Sequence, residues 1–172
     1  MDFLDLVTEV IDLRSFSNLW YWIVLAILWS ALTQRVMGVP YYIVLRARRG
    51  DRSSEADMHA LAEITVRRLL AAVETSGPGL VAATAFLLTG LVVLGWGYGV
   101  EFCQAVLLLM LPLIVVAALS VQTARQLRDS GFADLERRLR TYRLIVQVLG
   151  IVFIFLTAFW GMFVNVRVGP LG

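Results

Sequence analysis

Four long, predominantly apolar stretches alternate with polar segments along the chain. The apolar stretches cover residues 19–37, 80–98, 102–121 and 144–164, and the polar loops between them cover residues 38–79 and 122–143. Each apolar stretch matches the ~20 residues that an α-helix needs to cross a ~30 Å hydrocarbon core at 1.5 Å per residue. The pattern predicts an all-α, polytopic membrane protein with four transmembrane helices, forming a single transmembrane domain over residues 1–172.

The polar segments carry their own helical pattern. In residues 1–17 the acids recur three or four positions apart, which predicts an N-terminal amphipathic helix lying flat on the outer membrane surface. In the first loop, Ser53-Ser54 is a candidate N-cap for a helix running to about Thr75, and Gly77-Pro78-Gly79 is expected to separate that helix from the second span. Its predicted apolar stripe consists of Met58, Leu61, Thr65, Leu69 and Val73.

The second loop also predicts a cytoplasmic amphipathic segment. The helix of the third span is expected to project beyond the membrane and to stop near Gly131, a favourable residue just after a helix end. A second apolar stripe then leads into the fourth span through Phe132, Leu135, Leu139 and Tyr142. Asp134 and Glu136 stand four residues before Arg138 and Arg140, so i,i+4 ion pairs are expected there.

The basic residues predict the orientation. All fifteen are arginines, and thirteen of them fall on one side of the predicted membrane: twelve in the loops 38–79 and 122–143, and Arg35 at the adjoining end of the first span. Only Arg14 and Arg167 lie on the other side. Since basic segments translocate poorly, the arginine-rich side is predicted to be cytoplasmic, with both termini periplasmic in a bacterial inner (plasma) membrane. Tryptophan and tyrosine side chains cluster near the predicted span ends, as expected for residues that favour the membrane interface.

Few residues suggest chemistry. No ionisable side chain lies in the interior of a predicted span, although ion-coupled transporters usually carry such groups. His59 and Glu63 share a helical face, but one histidine and one cysteine cannot supply a zinc, bis-histidine haem or iron–sulfur site. No catalytic residue, metal or cofactor is predicted, and we expect the protein not to be an enzyme.

Two sets of residues are candidates for binding. The arginines are expected to contact anionic lipid or a protein partner; they are Arg46, Arg48, Arg49, Arg52, Arg137, Arg138 and Arg140. Gln147 and Asn165 are expected to make polar contacts between helices or with a partner. The orientation rule already accounts for the basic residues, so nucleic acid is not expected as a partner.

Three stretches and a tripeptide resemble known sequences. They are Asp12-Leu-Arg-Ser-Phe-Ser-Asn-Leu-Trp-Tyr-Trp22, Tyr98-Gly-Val-Glu-Phe-Cys-Gln-Ala105, Trp160-Gly-Met-Phe-Val-Asn-Val-Arg167 and Gly38-Val-Pro40. Together they resemble small alphaproteobacterial four-helix membrane proteins labelled as a component of the SUF iron–sulfur assembly complex. The resemblance implies a SUF scaffold partner at the cytoplasmic face. Direct cluster chemistry is not expected, because Cys103 lies at the outer end of the third span.

These observations favour a non-catalytic accessory or assembly protein of the membrane. It is expected to bind lipid or protein partners through its spans and its arginine-rich cytoplasmic surface, with a protein partner or a homo-oligomer as the assembly. The alternative is a homo-oligomeric channel or small-solute pore, with Gln147, Thr157 and Asn165 as the first candidates to line it.

Overall fold

A computed structural model describes residues 19–167 of the chain, except the side chains of Arg35, Asn165 and Arg167. The described part is helical apart from one short hairpin and the turns that connect the helices. Its elements are α1 (Leu19–Gln34), β1 (Arg35–Val36), β2 (Val39–Pro40), α2 (Tyr41–Arg48), α3 (Arg52–Val92) with a π-helical turn (Val93–Gly97), α4 (Glu101–Asp129) and α5 (Leu135–Arg167). The amphipathic helix predicted for residues 1–17 lies outside the described residues.

Three of the helices in residues 19–167 are long and apolar enough to cross a membrane. They are α3 with its π-helical turn, 46 residues in all, then α4 with 29 residues, and α5, of which Leu135–Val164 qualifies. The predicted spans 80–98, 102–121 and 144–164 fall inside these three helices. The first predicted span is represented by α1, which has only 16 residues and is shorter than the ~20 that a crossing helix needs.

The first apolar stretch ends in a turn rather than continuing as a helix. Residues 35–37 were predicted to be helical, but β1 pairs with β2 in an antiparallel hairpin. Met37 and Gly38 form its two-residue loop, with φ of 49° and 75°, as a type I′ turn requires. A side chain at Gly38 would collide with Thr65 of α3, so this position needs glycine for both space and conformation.

The polar helix and the second span form one continuous helix, which corrects the prediction that Gly77-Pro78-Gly79 separates them. Pro78 lies in the interior of α3. The N-cap is Asp51, not Ser53-Ser54: its carboxylate accepts hydrogen bonds from the Ser53 backbone N–H at 3.2 Å, the Ser53 hydroxyl at 2.7 Å and the Ser54 hydroxyl at 2.8 Å. At the other polar segment, α4 ends at Asp129 and Gly131 follows with a φ of 59°, as predicted.

Successive long helices run antiparallel. Between α3 and α4, Gln104 meets Gly95 at one end and Arg128 meets Glu74 at the other. Between α4 and α5, the hydroxyls of Ser120 and Tyr142 are 2.7 Å apart, and Gln104 meets Trp160 at the far end. The 16-residue α1 lies antiparallel to α5. A Cβ at Gly150 of α5 would lie 2.9 Å from the Trp29 ring of α1.

The main core lies at the end of the bundle where the arginines collect, which we call the arginine-rich end. There α2, the first half of α3 and the start of α5 pack together, and the Arg143 guanidinium lies 3.4 Å from the centre of the Tyr41 ring. The buried stripe of α3 differs from the predicted one, because only Met58 belongs to both. The residues buried on α3 are Ser54, Met58, Ala62, Val66 and Leu70.

The apolar windows of the long helices are far more open than the arginine-rich end. Only 6% of the window is buried in α3 with its π-helical turn, 28% in α4 and 22% in α5. Phe86 and Phe155 are 79% and 70% exposed. Such a continuous apolar surface is far larger than a soluble monomer exposes, so it requires lipid or another apolar surface around it.

Candidate functional site

A polar cavity of about 630 Å³ opens at the arginine-rich end, and we call it the polar cavity. The first turns of α3 and α5 form two of its walls, and the connection between α4 and α5 forms a third. Its lining includes Glu55, Met58, His59, Phe132, Asp134, Leu135, Glu136, Arg137 and Arg140. This volume falls within the range of ligand and peptide sites, and the lining carries both signs of charge.

The local backbone explains how the acidic and basic groups converge. After α4 ends, Gly131, Phe132 and Asp134 all adopt positive φ, which turns the chain back sharply into α5. Phe132 packs its ring against the core, so that turn is anchored by apolar contact. The first turn of α5 is thereby brought against that of α3. Arg140 donates a hydrogen bond to Glu136 across one turn of α5, confirming one of the predicted i,i+4 pairs.

Asp51 stabilises the connection between α2 and α3, which lies next to the polar cavity. Its carboxylate caps α3 and also lies 3.1 Å from the Arg46 guanidinium. Hydrogen bonds from Ser53 and Ser54 to the charged carboxylate lower the pKa of Asp51 from 3.8 to about 2. Asp51 therefore stays ionised at physiological pH. Its negative charge links Arg46 of α2 to the start of α3.

The seven predicted arginines do not form one site. Arg137 and Arg140 line the polar cavity, and Arg138 with Arg137 lines a smaller cavity of about 340 Å³ on the other side of α5. Arg46 is engaged by Asp51, and Arg48, Arg49 and Arg52 are exposed at the junction of α2 and α3. The structure thus brings two of the seven to the cavity and leaves the others as a charged surface beside it.

The predicted polar contacts fall differently. Gln147 is half-buried, and its side chain makes no hydrogen bond to another described residue. Asn165 lies in α5, but its side chain is outside the described part of the chain, so the contact expected of it is untested. Gln104 fills the role expected of these two. The sequence did show Gln104 as an amide within an apolar helix. Its position along the helix did not show which groups the amide would contact.

Gln104 connects three helices at the end opposite the arginines. Its amide nitrogen donates to the Gly95 carbonyl at 2.6 Å, and its amide oxygen accepts from the Trp160 indole N–H at 3.1 Å. The π-helical turn and the lack of a side chain at Gly95 allow this approach, since a Cβ there would lie 3.0 Å from Gln104. Trp96 packs on Trp160 with ring centres 5.6 Å apart. The contact is structural in character, because it satisfies buried polar groups.

His59 and Glu63 do not line the same cavity. His59 lines the polar cavity, whereas Glu63 lines a separate cavity of about 310 Å³ that also contains Glu74 and Arg128. Within residues 19–167 no three His, Cys, Asp or Glu side chains are grouped closely enough to hold a metal ion. Cys103 is buried as a free thiol.

An apolar groove forms a second candidate site, whose lining shares no residue with that of the polar cavity. It has a volume of about 680 Å³ and runs between α3 and α4. Its α3 side extends from Val73 to Leu88 and its α4 side from Ile114 to Asp129. The apolar part lies within the predicted spans, and Gln122, Arg125, Gln126 and Asp129 provide the polar groups at the arginine-rich end.

Comparison with known proteins gives no assignment for either site. No family model matches the chain, and no curated protein or solved structure matches it.

Proposed function

We propose that the protein is a non-catalytic accessory or assembly component of a membrane, which holds a protein partner at its arginine-rich end while lipid surrounds its spans. The observation that carries the proposal is the contrast between the two parts of the bundle. The arginine-rich end is a packed platform around the polar cavity, whereas the apolar windows of the long helices are only 6–28% buried. A packed platform outside the lipid provides a defined surface for docking.

The platform carries a surface suited to a protein segment. The polar cavity places Arg137 and Arg140 opposite Glu55 and His59, and the exposed Arg48 and Arg49 extend the basic surface beside it. A partner that offers both a basic and an acidic side chain to the cavity would pair with both walls, and acidic residues flanking that segment would meet the arginines. The resemblance to SUF-labelled membrane proteins agrees with a cytoplasmic partner of this kind.

The membrane arrangement in this proposal includes α1 as a fourth crossing helix. Its buried face, formed by Tyr21, Leu25 and Trp29, lies against α5, and the Tyr21 hydroxyl lies beside Thr157. It therefore follows the membrane part of α5 over several turns. With four antiparallel crossings, the start of α1 and the end of α5 would lie on the same side, opposite the arginines, and the positive-inside rule would make that side periplasmic in a bacterial inner membrane.

Co-purification from native membranes tests the partner. The full chain is isolated in mild detergent, and co-eluting proteins are identified by mass spectrometry. We expect a reproducible partner that is lost from the double variant Arg137→Glu/Arg140→Glu, because both changes fall in the polar cavity. The matched control is Arg67→Glu/Arg68→Glu, which makes the same change in charge on α3 away from that cavity and is expected to retain the partner.

Reproducible isolation with no partner would contradict the proposal. Equal loss of the partner from both double variants would also contradict it, since the partner would then respond to net charge and not to the polar cavity. The alternative of a homo-oligomeric pore stays a prediction. Thr157 is fully buried within one chain, so it is not available to line an axis between copies. Flux of ions or small solutes through liposomes containing the protein is the measurement that would support the pore.

A further inference from the structure

The apolar groove between α3 and α4 joins an apolar channel to a pair of opposite charges. The channel is lined on one side by Leu80, Val81 and Leu88 and on the other by Ile114 and Val121. Both helices contribute the same length to it, from residue 73 to 88 and from 114 to 129. At 1.5 Å per residue this is roughly 22 Å, most of a bilayer leaflet with its headgroup layer.

The polar end of the groove matches the depth of lipid headgroups. Arg125 lies four residues beyond the predicted end of the span at Val121, which is roughly 6 Å along the helix axis. The headgroup region adds about 5–8 Å to the hydrocarbon core on each side. Arg125 thus lies in the headgroup layer, and Asp129, roughly 12 Å beyond Val121 on the same face of α4, lies just outside that layer.

The two charges are available to a ligand. Neither salt bridges nor side-chain hydrogen bonds engage Arg125 within residues 19–167, and the side chain is exposed. Asp129 is 74% exposed and touches only Arg128, at the 4.0 Å limit of an ion pair. Arginine placed four residues before an acid is the less favourable order for pairing along a helix, so the two do not neutralise each other. Arg128 itself is held by Glu74 at 3.2 Å.

We propose that this groove is a binding site for one zwitterionic aminophospholipid of the leaflet at the arginine-rich end. An acyl chain fills the apolar channel, the phosphate accepts hydrogen bonds from Arg125, and the primary ammonium binds the carboxylate of Asp129. An anionic lipid would satisfy Arg125 but bring negative charge toward Asp129, and a quaternary ammonium offers no N–H to the carboxylate. The proposal deepens the lipid-binding part of the proposed function and rests on the membrane placement given there.

Native mass spectrometry of the full chain tests the site. The protein is released from nanodiscs made of equal parts phosphatidylethanolamine, phosphatidylcholine and phosphatidylglycerol, and the retained lipids are identified. We expect one tightly retained phosphatidylethanolamine. Arg125→Gln should weaken its retention about fivefold, the effect of removing one arginine–phosphate contact at a membrane surface. The control Arg68→Gln makes the same substitution at an exposed arginine of α3 that does not line the groove and takes part in no salt bridge among residues 19–167, so it should leave retention unchanged.

Two further variants separate the headgroup from the acyl chain. Asp129→Asn should abolish the preference for phosphatidylethanolamine over phosphatidylcholine while leaving total retained lipid similar. Ala118→Phe should expel the lipid, because the exposed Ala118 faces the groove; the control Ala82→Phe adds the same ring on an exposed part of α3 outside it. The folded state of each variant is checked by its thermal transition in detergent.

Several outcomes would overturn the proposal. These are retention of phosphatidylglycerol in preference to phosphatidylethanolamine, equal retention of all three lipids, or a preference unaltered by Asp129→Asn. A second copy or another protein's helix cross-linked into the groove at Ala118 would also overturn it. Co-purification of the partner tests the polar cavity, which shares no lining residue with the groove, so failure of the lipid site and failure of the partner proposal are distinguishable.

Discussion

At the residue scale, two glycines and one glutamine determine how closely the long helices approach one another, although none of the three stands out in the sequence. Gly95 admits Gln104 to a helix carbonyl, and Gly150 admits the Trp29 ring. Buried polar groups in an apolar environment are expensive when unpaired, and close packing replaces the hydrophobic effect between helices in lipid. Each contact therefore makes a defined contribution to the stability of the bundle.

The Gln104→Leu variant should destabilise the protein. The substitution leaves the Gly95 carbonyl and the Trp160 indole N–H without the hydrogen bonds they have in the wild type. We expect the free energy of unfolding in detergent to fall by about 1–2 kcal/mol. The control is Gln147→Leu, a half-buried amide with no partner in the described part of the chain. An equal loss from both variants would refute the assigned role of Gln104.

The Gly150→Ala variant should also destabilise. Its Cβ would lie 2.9 Å from a carbon of the Trp29 ring, so α1 or the ring has to shift. Overpacking of this kind costs about 1–3 kcal/mol, which thermal unfolding in detergent can measure. Gly90→Ala is the matched control, because the added methyl meets no atom within 4 Å there. A Gly150→Ala protein as stable as Gly90→Ala would mean that α1 does not pack on α5 as described.

At the element scale, α3 shows how tertiary packing overrides a local signal. Gly77-Pro78-Gly79 is typical of a helix break, yet the helix runs through it, and the ion pair between Glu74 and Arg128 fastens α3 to α4 one turn before the proline. Neighbouring helices make such a proline tolerable. The chain therefore gains one long helix that couples the platform to the membrane.

The start of α3 makes a prediction about pH. In the Asp51→Ala variant the carboxylate that caps the helix is gone, so the thermal transition at neutral pH should be lower than in the wild type. The folded-state pKa of Asp51 is lowered from 3.8 to about 2, so its stabilisation is present above pH ~4 and is lost as the pH falls toward 2. The difference between variant and wild type should shrink over that interval. Asp57→Ala, an exposed acid of the same helix, is the control. A difference that does not change with pH would contradict the cap.

The elements that could be predicted from the sequence are those whose signal is long. The three spans within α3, α4 and α5 follow from a continuous apolar stretch, and the end of α4 follows from Gly131. The end of α1 could not be predicted, because Val36 and Val39 are apolar for a different reason: they are buried in the core at the arginine-rich end. The polar cavity also escaped prediction, since its walls come from segments some eighty residues apart in the sequence.

At the scale of the whole molecule, the arginine-rich end and the spans differ in how much of their apolar surface is buried. Packing inside the chain concentrates at the arginine-rich end, while the spans leave most of their apolar surface to lipid or to another helix. We therefore expect the protein to be stable in a membrane or in detergent rather than in water alone, because so much apolar surface is exposed on the long helices. In the function we propose, the partners are sorted by compartment, with lipid along the spans and a protein partner at the platform.

The orientation of this platform is the prediction on which both binding proposals depend. In a Cys103→Ser background, Asp57→Cys places an exposed thiol on the first half of α3, and Tyr98→Cys places one at the opposite end, where Tyr98 is 76% exposed. A membrane-impermeant maleimide should label the cysteine at 98 in intact cells. It should label the cysteine at 57 only after permeabilisation, because arginine-rich segments stay in the cytoplasm. Labelling in the reverse order would invert the topology and move both the polar cavity and the headgroup end of the groove to the wrong compartment.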